Sequence, residues 1–155
     1  MNTFSRCSPA PTPSSPPHHL LNRFSIDLPV TSAAAWSEFT RPGALSWCTL
    51  ITGSRYLTPP QRGIDTVREL SMRPSAIKAR EHYFRWEEEP NILYRNTFYA
   101  SAFTAPGLQR FAEDMLVEEL ATGRRLAWTF AIEPKLLQKP LTLGSTIITN
   151  ALCRE

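Results

Sequence analysis

The sequence predicts an α+β domain: a seven-stranded antiparallel sheet, two short helices after its first strand, and one long helix at the C-terminal end. Three observations carry this. Six successive segments between Thr49 and Ile132 are rich in aromatic and β-branched residues and are separated by short turn signals. One earlier segment, Arg23 to Leu28, places Phe24, Ile26 and Leu28 on alternate positions, the period of a half-buried strand. Beyond Pro134 the apolar spacing changes to three and four, the period of a helix.

Taken in order, Ser5 to Pro17 holds five prolines and four serines, a composition that forms neither helix nor ladder, so residues 1–21 are expected to be a disordered tail. His18-His19 closes it and reads as linker, since two adjacent histidines make a poor metal site. Order should begin near Asn22, with 22–155 forming one domain. After the first strand, Thr31 or Ser32 offers a hydroxyl N-cap to a short helix holding Trp36 and Glu38. Pro42 suits a first helical turn, so Pro42 to Trp47 is read as a second helix.

The six strand segments follow: Thr49 to Leu57, Ile64 to Met72, Ala76 to Trp86, Ile92 to Phe103, Phe111 to Leu120 and Arg124 to Ile132. Pro59-Pro60 with Gly63, Arg73-Pro74-Ser75, Glu89-Pro90-Asn91, Pro106-Gly107 and Thr122-Gly123 divide them. Links this short favour antiparallel neighbours. In the last segment Leu137, Leu141, Gly144, Ile148 and Leu152 share one helical face, and Leu136, Leu143 and Ile147 extend the apolar surface around it. Pro140 should mark the start of this helix or a kink in it.

Composition narrows the function. At 155 residues, 42% hydrophobic and 20% charged, the chain is of one-domain length and globular make-up. A net charge of +3 with scattered arginines argues against nucleic acid as a partner. No apolar run reaches the ~20 residues of a spanning helix, and the N-terminus lacks the pattern of a signal peptide. Cys7, Cys48 and Cys153 are odd in number and far apart, which argues against a disulfide framework or zinc site and suits the cytoplasm. Nucleotide-binding loops, the G-x-S-x-G elbow and H-E-x-x-H are absent, so neither cofactor nor metal is expected. Glu87-Glu88-Glu89 reads as a solvated acidic corner.

The opening Ile26-Asp27-Leu28-Pro29, then Trp36, Arg41-Pro42 and Trp47, resembles the start of the SRPBCC superfamily (START, polyketide cyclase and Bet v 1-like proteins). Thr122-Gly123-Arg124-Arg125, Trp128-Thr129-Phe130 and Glu133-Pro134 extend the resemblance over roughly Phe24 to Glu155. Two departures stand out: the final helix stops sooner than the family's, and the glycine pair before the last strand is reduced to Gly123. The resemblance implies the helix-grip fold, in which a strongly curved sheet wraps around the C-terminal helix and leaves an internal cavity. It implies a class of ligand, not a reaction.

Strand parity then nominates cavity residues. Leu126, Trp128, Phe130 and Ile132 should face the helix. Ile77, Ala79, Glu81, Tyr83 and Arg85 oppose Lys78, Arg80, His82, Phe84 and Trp86, and the second set reads as the wet face. Glu81 then points inward and needs a partner, with Arg68, Tyr83 and Tyr94 as candidates. Ile92, Tyr94, Asn96, Phe98 and Ala100 point inward on the next strand, whereas Phe111 to Leu120 has two mixed faces. The candidate ligand-binding set is Arg68, Glu81, Tyr83, Tyr94, Asn96, Phe98, Trp128 and Phe130, the alternative being ordinary ladder residues. His82 has the right chemistry for a general base, but its parity points outward.

The expected function is binding of a hydrophobic small molecule of lipid, polyketide or isoprenoid type, as a carrier or binding protein. Two alternatives remain open. One is an aromatase/cyclase-like enzyme in which Tyr94, Asn96 and Arg68 polarise a carbonyl. The other is a module that binds a protein partner, in the manner of family relatives that assist a chaperone or a quinone pathway.

Overall fold

The computed structural model describes residues 20–59, 62–73, 77–102, 104 and 107–134. The proposed N-terminal tail up to His19 and the proposed C-terminal helix lie outside them. The described elements run β1 (Leu20–Asp27), α1 (Ser32–Thr40), β2 (Ile51–Tyr56), β3 (Val67–Met72), β4 (Ile77–Glu89), β5 (Leu93–Ser101), β6 (Leu108–Leu120) and β7 (Gly123–Pro134). The seven strands form one antiparallel sheet in the order β1-β7-β6-β5-β4-β3-β2. Strands β2 to β7 thus form a meander, and β1 adds to its far edge by pairing with β7. β1 starts at Leu20, two residues ahead of the expected onset of order at Asn22 and three ahead of the expected strand start at Arg23.

The core lies on the concave face, where Tyr94, Met115, Val117, Leu126, Trp128 and Phe130 are buried. α1 closes over β5 and β6. Its sequence is short and weakly amphipathic, so its position comes from Trp36, which stacks on Tyr94 at 5.6 Å and meets Trp86 edge-on at 5.2 Å between ring centroids. Thr31 is the N-cap, its hydroxyl accepting from the Ala34 amide at 3.2 Å. Ser32, the other capping candidate, instead donates to Glu119 Oε1 at 2.6 Å and ties the helix start to β6. Thr31→Ala is expected to lower unfolding free energy by about 1 kcal/mol in a urea titration, and an unchanged midpoint would show that the cap is dispensable.

The second helix expected over Pro42 to Trp47 does not form. Residues 41–50 are successive turns, with Ala44 donating to the Arg41 carbonyl at 3.0 Å and Cys48 to the Leu45 carbonyl at 2.9 Å. Gly43 (φ +71°) and Leu45 (φ +66°) both adopt left-handed backbone, which interrupts any right-handed helical run. For Leu45 that conformation is unfavourable, and burial of its side chain on the core offsets the cost. Trp47 is left 40% exposed.

A β-bulge corrects the expected faces of β4. The register passes from Tyr83 opposite Phe98 to Arg85 opposite Thr97, so Phe84 is an extra residue and the alternation inverts beyond it. Arg85, expected inside, is exposed, whereas Trp86, expected on the wet face, packs against Trp36 and Tyr83. Ile92, also expected inside, is exposed in the turn between β4 and β5. The acidic run closes β4 instead of forming the turn itself; Glu88 and Glu89 are exposed as expected, and Glu88 Oε1 also accepts from the indole N–H groups of Trp36 and Trp86, each at 2.8 Å. Among the described residues no helix is long and apolar enough to cross a membrane.

Candidate functional site

Arg68 and Glu81 are directly opposite in the β3–β4 ladder, both on the concave face and both buried, at 4% and 3% exposure. A buried carboxylate requires a partner. Arg68 Nε supplies it, donating to Glu81 Oε2 at 2.5 Å, and the Tyr83 hydroxyl donates to the same oxygen at 3.0 Å. A second guanidinium nitrogen of Arg68 donates to the Phe39 carbonyl at 2.9 Å, which anchors the end of α1 to the sheet. The guanidinium also lies 5.6 Å from the Tyr83 ring centroid. Burial alone would pull Arg68 down, but the Glu81 carboxylate and the Tyr83 oxygen reverse this and hold it above its ordinary value. Burial pushes the Tyr83 phenol well above its own.

Beside this network the concave face holds a partly open cavity of about 110 Å³. Leu45, Cys48 and Leu50 of the turn segment wall one side, Leu70 and Ala79 of β3 and β4 the floor, and Phe98, Phe111, Trp128 and Phe130 of the last three strands the other side. Among the described residues its acidic side chains are two carboxyls, Glu81 and Glu113.

Glu113 was not identifiable from the mixed faces of β6. It lies opposite Phe98 on one side and Phe130 on the other, so it belongs to the concave face with Met115 and Val117. Trp128, its diagonal neighbour on β7, donates its indole N–H to Glu113 Oε2 at 2.9 Å. Burial and the nearby Glu81 carboxylate outweigh this bond and the Arg68 charge, raising the Glu113 carboxyl to about 8. At neutral pH it is mostly a neutral acid.

All eight residues nominated from the sequence are buried on the concave side. Glu81, Phe98, Trp128 and Phe130 line the cavity. Arg68 and Tyr83 stand behind Glu81 as its partners, while Tyr94 packs under Trp36 and Asn96 lies between Trp86 and Met115 in the ladder. Tyr94 therefore belongs to the packing beneath α1, and neither Tyr94 nor Asn96 is part of the cavity wall. His82 is on the outer face, where it stacks on Tyr99 at 5.1 Å and its Nε2 lies 2.6 Å from Ser101 Oγ. Among the described residues no three His, Cys, Asp or Glu side chains gather as they would around a metal ion.

No protein-family model matches the chain. Uncharacterized proteins of Mycobacterium tuberculosis and Mycobacterium bovis are 32% identical to it over 112 residues, which is 72% of this chain and 64% of each relative, so the match spans just under two thirds of their length. Among solved structures, the ginseng major latex-like protein 151 from Panax ginseng superposes with a TM-score of 0.69 at 14% identity, covering 86% of this chain and 91% of that one. Ara h 8.0201 superposes with a TM-score of 0.65 at 12% identity, covering 86% and 89%. The chain therefore shares the Bet v 1-like helix-grip fold with these structures.

Proposed function

We propose that this protein binds a hydrophobic small molecule, of lipid, polyketide or isoprenoid type, and acts as a carrier or binding protein. The observation that supports it is the cavity itself: a partly open space walled by Leu45, Leu70, Phe98, Phe111, Trp128 and Phe130, with two carboxyls among the described residues that line it. Apolar enclosure with a few placed polar groups is how small lipophiles are held. At about 110 Å³ the space is of the same order as the ~150 Å³ apolar cavities that admit benzene, so one ring or one branched isoprenoid unit suits it. Carriage is favoured over cyclase-like catalysis because Tyr94 and Asn96, two of the three groups that would polarise a carbonyl, do not line the cavity, and Arg68 is committed to Glu81.

Native mass spectrometry of the protein purified from its own host tests this directly. A retained lipophile, lost on gentle activation, is the expected result. Titration with ethylbenzene is expected to change tryptophan fluorescence, and Trp128→Phe should remove most of that change while Trp86→Phe preserves it, since Trp128 lines the cavity and Trp86 does not. Absence of both a retained lipophile and a Trp128-dependent response would overturn the reading.

A further inference from the structure

We propose that Glu113 is the polar anchor of the cavity, donating a hydrogen bond from its carboxyl to an acceptor oxygen of the ketone or ester carbonyl class on an otherwise apolar ligand. This rests on the cavity being a ligand site and names what that ligand must carry.

The geometry distinguishes the two carboxyls that reach the cavity. Glu81 is engaged by a guanidinium and a phenol and is the negative half of an ion pair. Glu113 receives one hydrogen bond among the described residues, from Trp128 to Oε2, which leaves Oε1 uncommitted among them. Its ladder neighbours on either side are the rings of Phe98 and Phe130, so the carboxyl stands between apolar walls. Among the described residues, the charged or titratable groups facing the same region are Glu81 on β4, Arg68 on β3 and Cys48 in the turn segment. Burial and Glu81 together raise Glu113 to about 8, so at neutral pH the group keeps its proton. Because the indole N–H occupies an acceptor site on Oε2, the proton belongs on Oε1, where the acid is a donor. A neutral carboxylic acid in an apolar site is a strong single donor. A carbonyl oxygen, which only accepts, complements it; an ammonium group would need the carboxylate instead.

Three one-ring probes of similar size test the assignment by calorimetric titration: acetophenone, ethylbenzene and 1-phenylethylamine. The ketone is costlier to remove from water than the hydrocarbon, so the quantity that matters is the acetophenone-to-ethylbenzene affinity ratio and how it changes. In Glu113→Met, which keeps the length of the side chain and removes the donor, the ratio is expected to fall roughly fivefold to tenfold, the range of one net hydrogen bond. The unmodified protein should show the same fall between pH 6 and pH 9.5, which keeps the test decisive if the variant folds poorly. A ratio unchanged in both comparisons, with ethylbenzene still bound, overturns the anchor while leaving the cavity reading intact. Failure of every probe to bind overturns the cavity reading and the anchor with it. Preferential binding of 1-phenylethylamine at pH 7, abolished in Glu113→Met, would show an ionised counter-ion in place of a donor and also overturns the proposal.

Discussion

Arg68→Met is expected to destabilise the fold by about 3–5 kcal/mol, because it strands the Glu81 carboxylate in the core without its cation. Both side chains are almost fully buried, at 5% and 3% exposure, so water cannot replace the lost partner. The substitution also removes the hydrogen bond to the Phe39 carbonyl and with it a tie between β3 and the end of α1. The double variant Arg68→Met/Glu81→Gln should recover at least half of the loss, since a neutral amide needs no counter-ion and still accepts from Tyr83. Urea unfolding of the three proteins checks this. A single variant that loses less than about 1 kcal/mol would mean that the pair contributes as a surface pair would.

The second large effect concerns pH. Relative to the unmodified protein, Glu113→Gln should become progressively more stable as pH rises from about 4.5 to about 8, and the difference should level off above that. The carboxyl ionises near 4.5 in the unfolded chain but near 8 in the folded one. Below the lower value both states hold the proton and the Glu113 contribution is fully present. Between the two values the unfolded chain releases its proton while the folded protein keeps it, so stability is lost with rising pH, by up to about 1.4 kcal/mol per pH unit. Glu38, Glu69, Asp114 and Glu119 are held below their ordinary values by arginine, serine or threonine partners and act in the opposite sense at lower pH. They are common to both proteins and cancel in the difference. A difference that stays flat from pH 5 to pH 8 would show that Glu113 titrates as a solvated side chain.

Much of the candidate site was legible before any fold was known. The requirement that an inward Glu81 find Arg68, Tyr83 or Tyr94 follows from the cost of a lone buried carboxylate, and the first two are its partners while Tyr94 packs against Trp36. Glu113 was also within reach. The two-residue turn Ala121-Thr122 sets Leu120 opposite Gly123, and carrying that register back places Met115 opposite Trp128 and Glu113 opposite Phe130. Since Trp128 and Phe130 were readable as inward, the face of β6 was implied by its hairpin partner, though its own alternation was ambiguous.

What the sequence by itself determined is the set of strands and their antiparallel succession, because period-two alternation and turn residues are local properties that act before any tertiary contact. It equally determined the inward faces wherever a strand alternates without interruption, as Leu126, Trp128, Phe130 and Ile132 do. Tertiary structure decided the rest. The bulge at Phe84 exchanged Arg85 for Trp86, because one inserted residue inverts every face beyond it, and Trp86 finds its neighbours on β4 and α1. Leu45 accepted a left-handed backbone in place of a helical one because the core rewards its burial, a gain that exists only once the sheet is assembled. The proton on Glu113 is of the same kind: Trp128, Glu81 and Arg68 come from three other strands, and no local pattern along β6 records that they meet around one carboxyl.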